Sequence, residues 1–302
     1  PDLFPEASLN NDLRIGMNRA KLSWYVVDPL FFRSNTLTPE HIKNDLVAQS
    51  NHFTREILET EIFPNRTPQN PQVTNLPVLD LAFYPNERGP YNYDVNPTTF
   101  SSGLKIDGKL EAPSTRWGGL MRKIDNNDFE TTNIEYIQFW MMDPFNEDNP
   151  TPNTTGSLYI NIGDVSEDIL KDSRKSFENG LPIGATIPDP NLYDSTKFGV
   201  VPVVQQVVNA FDNNPESRRF QDVGLDGLSN DNERTFFDTA FVSKVVNKFS
   251  PTNPNAQAIV EAQADPSADD FKYFRSSAFD AAEEPILDRY KNFRGLEGNS
   301  SV

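Results

Sequence analysis

The sequence predicts an α+β fold, with a β-sandwich-like (jelly-roll-like) core, flanking helices and long loops. Three observations predict it. In Asn133–Phe145 (NIEYIQFWMMDPF), Ile134, Tyr136, Trp140 and Met142 share one parity and Ile137, Phe139 and Met141 the other. That pattern fits an inner strand covered on both faces, with Trp140 in the core. Ser157–Asp164 (SLYINIGD) then resumes the alternation through Leu158, Ile160 and Ile162, so two antiparallel strands across the polar, proline-rich loop 146–156 are expected at the centre. Third, 24 prolines in 302 residues exceed the usual share of about 5% and imply short elements joined by many loops.

In chain order, Lys21–Arg33 (KLSWYVVDPLFFR) reads as a strand that Asp28-Pro29 breaks, because proline removes a ladder donor. Thr38-Pro39-Glu40 offers a capping hydroxyl, a proline at the first helical position and an acid in the first turn, so a helix is expected to about Gln49. Phe53, Ile57 and Leu58 suggest one more helical stretch before Phe63-Pro64, and residues 65–75 form a loop. Residues 1–75 are expected to pack on the core as an N-terminal segment. The core, 76–182, adds strands over Leu76–Tyr84 and Arg116–Ile124. Gly118 and Gly119 in the latter point to a bulge or a close backbone approach. Helical periods return at Ser166–Leu170, Val200–Phe211 and Asn232–Phe249, then in pieces at Phe271–Phe274 and Pro285–Phe293, making 183–302 a helical, loop-rich C-terminal part.

Charge narrows the function. With 27 basic against 44 acidic residues the net charge is −17, which excludes a nucleic-acid backbone binder and disfavours anionic membrane surfaces. There is no cysteine, so disulfides, thiolate metal sites and a cysteine nucleophile are unavailable. No run approaches the ~18 apolar residues of a spanning helix. The chain starts at Pro1 and is expected to be a piece of a longer polypeptide, with apolar surface exposed where a neighbour belongs.

The sharpest chemical motif is Asp222–Glu233 (DVGLDGLSNDNE). Numbered as a calcium loop, it has Asp222 at position 1, Asp226 at 5, Gly227 at the turn, the Leu228 carbonyl at 7, Asn230 at 9 and Glu233 at 12. Two departures stand against it: Gly224 at position 3 lacks a side-chain oxygen, and Ser229 replaces the usual apolar residue. The bland alternative is an acidic turn leading into a helix. His41 and His52 lie eleven apart, without the spacing of a helical metal pair. Glu130, Glu135, Asp143 and Asp164, on or beside the central strands, could supply two carboxylates to a glycoside hydrolase, or could simply be wet positions. The aromatic interface candidates are Trp117, Tyr84, Tyr91 and Tyr93. The three tyrosines flank the ERGP turn, where they could equally anchor a loop. No catalytic motif is present, and the residues admit a carbohydrate-binding jelly roll as an alternative function.

Several long runs carry a family resemblance: Phe4–Arg33, Ser50–Asn65, Leu81–Asp94 (LAFYPNERGPYNYD), Arg116–Phe145, Gly156–Pro182 and Arg218–Glu233. In these the chain resembles the SprA/Sov family, outer-membrane translocons of the Bacteroidetes type IX secretion system, with Ser250–Asp270 the least distinctive part. The resemblance implies a giant β-barrel that exports folded cargo, with a role in gliding motility. Only three or four stretches here could be membrane strands. The chain is therefore expected to be a soluble, non-enzymatic segment whose partners are the rest of the barrel, its accessory proteins and secreted cargo. It would sit at the outer membrane on the extracellular side, where such barrels carry their longer loops, with the periplasm as the alternative.

Overall fold

A computed structural model describes residues 4–32, 35–66, 75–121, 124, 128–145, 156–163, 166, 168–174, 193–203, 224–270 and 272–293. The chain divides into two compact units, Pro1–Val27 with Pro77–Gly119 and Ser166–Val302, and Asp28–Leu76 with Leu120–Val165.

In the first unit β1 (Ala20–Tyr25) pairs antiparallel with β2 (Asp80–Arg88), Lys21 lying opposite Tyr84 and Tyr25 opposite Asp80. The register shifts between Ala20, opposite Arg88, and Lys21. The irregularity carries β2 past Pro85, where the sequence predicts the strand to end, because a bulged residue makes no ladder bond for proline to lose. Arg116–Ile124 is not a third strand among the described residues. Only Trp117 bridges, parallel to Arg19. The glycine signal was a close approach: a Cβ on Gly118 would lie 2.9 Å from the Leu22 Cβ.

β3 (Tyr193–Thr196) and β4 (Gly199–Pro202) form a separate hairpin. The predicted helix over Val200–Phe211 thus begins as a strand, held by the Val200 amide on the Asp226 carbonyl at 2.8 Å; its part from 204 onward lies outside the described residues. α4 (Asn230–Phe236), a π turn over Asp238–Val242 and α5 (Ser243–Phe249) realise the helix expected to reach Phe249. Phe237, Phe241, Val245 and Phe249, four apart, bury one face. They join Tyr93, Leu104, Leu110 and residues of α6 (Gln257–Ala264) in the core. α7 (Ser277–Ala281) and α8 (Ile286–Tyr290) follow, and Tyr290 stacks on Tyr25 at 4.2 Å. No helix forms at Phe271–Phe274 among the described residues.

One buried ion pair holds the loops of this unit. Arg116 Nη1 meets Asp94 Oδ2 at 2.9 Å with both side chains fully buried. The guanidinium also donates to the carbonyls of Met17 at 2.7 Å and Glu111 at 2.8 Å. Asp94 accepts from the Ser101 hydroxyl and the Gly103 amide.

In the second unit the first predicted helix is two, α1 (Glu40–Asn44) and α2 (Leu46–Ser50). Asp45 divides them: its carboxylate accepts from the Val47 and Ala48 amides and caps a new start. Thr38 does not cap; its hydroxyl reaches back to the Leu30 carbonyl at 2.7 Å. α3 (Glu59–Ile62) is the last helix of this unit among the described residues.

The β-sandwich is corrected here. The described β-structure is two two-stranded sheets, and neither Ile134–Phe145 nor Leu158–Ile162 enters a ladder. Their apolar side chains stand in solvent, Trp140 at 71% exposure, touching only the edge of Phe63 among the described ring pairs. Strand propensity supplies no partner; a ladder needs a neighbour within reach.

Candidate functional site

The chemistry of the first unit converges where the turn after β4 meets α4 and the loop after α6. Asp226, Glu233 and Asp269, all buried, bring one carboxylate oxygen each within 4.8 Å of one another. Asp226 is fixed by its own turn, Oδ1 accepting from the Leu228 amide at 3.0 Å. Glu233 lies in the first turn of α4, where an acid suits the helix dipole. Ser267 binds the two together: its amide donates to Glu233 Oε2 at 2.8 Å and its hydroxyl to Asp226 Oδ2 at 2.6 Å. That hydroxyl having donated to Asp226, the Tyr93 hydroxyl donates to it, at 3.1 Å.

The electrostatics are severe. Two ionised carboxylates at such a separation repel by about 3 kcal/mol at an effective dielectric of ~20. Burial pushes Asp226 up to about 7 against its two hydrogen bonds, with the Asp265 charge adding to the rise. Burial also raises Tyr93. Arg88 is the neighbouring positive group, its guanidinium 4.2 Å from the centroid of the Phe241 ring and donating to the Asn92 and Pro266 carbonyls. Burial lowers its pKa while Asp265, Tyr93, Glu261 and Glu233 oppose that.

A pH dependence follows. Asp226, and Asp80 on β2, are both pushed by burial to about 7, above the unfolded value of roughly 3.9. The folded state therefore binds the extra protons, and stability is lost as pH rises from about 4 through 7. In chelator, the Tm is expected to climb as the buffer is taken from pH 8 to pH 5, with a shallower climb for Asp226→Asn. A Tm falling over that window overturns the assignment.

The structure brings together two of the predicted calcium-loop residues, Asp226 and Glu233, and adds Asp269, for which the local sequence gives no signal. Asp222 lies outside the described residues. The Leu228 side chain is buried, and Asn230 donates to the Asp270 carboxylate at 3.1 Å. The glycine that weakened the motif accounts for the newcomer: a Cβ on Gly224 would fall inside the Asp269 carboxylate. Where a calcium loop places a side-chain oxygen at position 3, this one leaves room for a carboxylate from a distant loop. The donor set fits a hard cation. Ligand oxygens at 2.3–2.6 Å from calcium can lie up to about 5 Å apart, as these do.

Two of the four aromatic interface candidates are corrected. Tyr91 and Tyr93 are buried; Tyr93 stacks on Phe237 at 4.5 Å, and the Tyr91 hydroxyl accepts from the Leu225 amide at 2.5 Å. The ERGP turn folds into the core, so both tyrosines take the loop-anchoring role that the sequence allowed. Tyr84 is half-buried on β2, and half-buried Trp117 donates Nε1 to Glu6 at 2.8 Å. Neither histidine belongs to a metal-capable group among the described residues. Glu130, Glu135 and Asp143 are exposed, and Asp164 lies outside the described residues.

The second unit presents a different surface. Every residue of Glu130–Phe145 and of 156–163 is exposed. These runs hold Tyr136, Ile137, Phe139, Trp140, Met141, Leu158 and Ile160, each more than half exposed. The sequence predicts apolar surface awaiting a neighbour, and this is where it lies.

Comparison with known proteins adds one finding and one absence. The family model SprA_N, described as motility related/secretion protein, matches residues 240–302. The match spans α5 to α8 and Asp269, and includes the stretch in which the sequence resemblance is least distinctive. No curated protein matches the chain.

Proposed function

From the premise that the chain is a member of the SprA/Sov family, which the match over residues 240–302 supports, we propose that it is a non-enzymatic domain of an outer-membrane protein-export translocon. In this reading it serves type IX secretion and gliding motility by packing against barrel, accessory or cargo proteins to shape or gate the exit. The observation that supports the reading is the run of large apolar side chains exposed in the second unit, Tyr136, Phe139, Trp140 and Met141 among them, because exposed apolar side chains gathered on a surface mark where something docks. Among the described residues no helix is long and apolar enough to cross a membrane.

Protease protection of the full-length protein in intact cells tests this, with a cleavage site inserted between Asn146 and Gly156. Cleavage from outside is expected, and would place the domain at the cell surface as a cap over the exit. Cleavage only after the outer membrane is permeabilised would overturn that side and make it a periplasmic docking domain. Protection in both states would bury the insertion site under the barrel or a partner.

We further propose that Asp226, Glu233 and Asp269 hold a calcium ion that ties the turn after β4, α4 and the loop after α6 together. Supporting it are the three hard donors and the Gly224 gap that Asp269 fills. Titration calorimetry is expected to show one site for calcium, absent in Asp226→Asn; no heat with the wild-type chain rejects it.

A further inference from the structure

The β1–β2 sheet of the first unit carries one charge that its own cations do not answer. Strand alternation puts Lys21, Ser23 and Tyr25 of β1 on the same face as Asp80, Ala82 and Tyr84 of β2. That face is packed: the Ser23 hydroxyl donates to the Lys291 carbonyl at 2.6 Å, and Tyr25 stacks on Tyr290. The lysines beside it are committed. Lys21 Nζ donates to Asn292 Oδ1 at 3.1 Å and lies 3.6 Å from the Glu87 carboxylate, which Lys291 also meets, at 2.8 Å.

Asp80 stands at the other end of β2 and is half-buried. Among the described residues its carboxylate makes no hydrogen bond and no ion pair, and burial is what pushes it up to about 7. A carboxylate held partly out of water without a donor is costly, so a cation brought to it is well received.

The surroundings narrow the kind of cation. The pair Tyr25–Asp80 ends the ladder. One step beyond it along each strand come Val26 and Leu79, 45% and 49% exposed. Exposed apolar groups next to such a carboxylate suit a ligand with an apolar stem and a charged head. Lys and Arg are built that way, their stems covering apolar surface while the head reaches a charge or water. A bare metal ion is a poor match, since calcium takes about six to eight oxygens and this is one carboxylate. A quaternary ammonium wants open ring faces, whereas Tyr25 is buried and stacked on Tyr290. A second copy of the chain, at net charge −17, is repelled as a whole.

We propose that the end of the β1–β2 sheet at Tyr25 and Asp80 is a docking point for a Lys or Arg side chain of a partner polypeptide, its stem over Val26 and Leu79 and its charge on the Asp80 carboxylate. Because Asp80 has already lost part of its water, this pair gains more than a fully exposed one would. The site belongs to the first unit and goes beyond the docking reading of the second without depending on it.

The test uses the whole chain with its aspartate carboxyl carbons labelled, at about pH 8, above the value to which burial pushes Asp80. The probes are two blocked tripeptides, valine-lysine-valine and valine-norleucine-valine, alike in stem and different in charge. NMR follows the Asp80 carboxyl resonance, assigned by its loss in Asp80→Asn. The lysine peptide is expected to shift it and to bind about tenfold more tightly than the norleucine peptide, the margin of one charge-assisted hydrogen bond. Asp80→Asn, which keeps the shape of the side chain, should erase that margin. Glu87→Gln, at an acid already shared by two lysines, should keep it. Leu79→Ser, at an exposed position, should weaken both peptides alike. A lysine preference that survives Asp80→Asn is attraction to the acidic chain at large and overturns the site, as does one that Glu87→Gln removes equally. Unchanged binding by Leu79→Ser overturns the placement of the stem. No shift with either peptide overturns the docking point, and a shift with phosphatidylcholine vesicles alone overturns a polypeptide partner in favour of a lipid headgroup. The protease experiment judges the translocon reading separately.

Discussion

Arg116→Leu is expected to destabilise the first unit by about 3–5 kcal/mol, the usual result of stripping one partner from a fully buried ion pair. The reason lies in what remains. Asp94 would keep only the Ser101 hydroxyl and the Gly103 amide, and the carbonyls of Met17, Gly103 and Glu111 would lose their shared donor. Three loops are joined through one guanidinium. Thermal unfolding should show a drop on the order of 10 °C, and Arg116→Leu/Asp94→Leu should recover part of it by removing the stranded charge. A single variant within 2 °C of wild type, a margin small against the several degrees such a loss implies, would contradict the burial of this pair.

Gly224→Ala is the second large effect. The new methyl must displace the Asp269 carboxylate, and it would also stand 3.1 Å from the Tyr91 hydroxyl. Overpacking of this kind costs about 1–3 kcal/mol. If calcium is held there, the variant should also lose the cation's contribution, about 2.7 kcal/mol at a free concentration a hundred times Kd. The measurement is the calcium-induced rise in Tm, present in the wild type and missing in Gly224→Ala. A variant that keeps the full rise would show that Asp269 takes no part in binding. The pH series in chelator complements it, since protons and a cation relieve the same repulsion.

What could be read in advance divides along physical lines. The helix through Phe237, Phe241, Val245 and Phe249 was legible because a four-residue spacing needs no knowledge of the partner. The π turn within it was not, as it leaves that spacing nearly intact. The Asp226-Gly227 turn and Glu233 were legible because a loop motif is contiguous. Asp269 was not, and its only trace was a glycine where an oxygen was expected. Trp140 shows the limit from the other side: both parities of its run are apolar, which argues for cover without saying that the cover lies in this chain.

The sequence by itself determined the α+β class, the strongly acidic character, the family resemblance and the expectation of exposed apolar surface. Each is a sum or a local period along the chain. Only the tertiary structure decided that Tyr91 and Tyr93 are core, that Arg116 finds Asp94, that Asp269 completes the acidic cluster, and that 134–145 and 158–162 stand uncovered. These depend on which distant segments meet, and burial and pairing energies exist only once they have met.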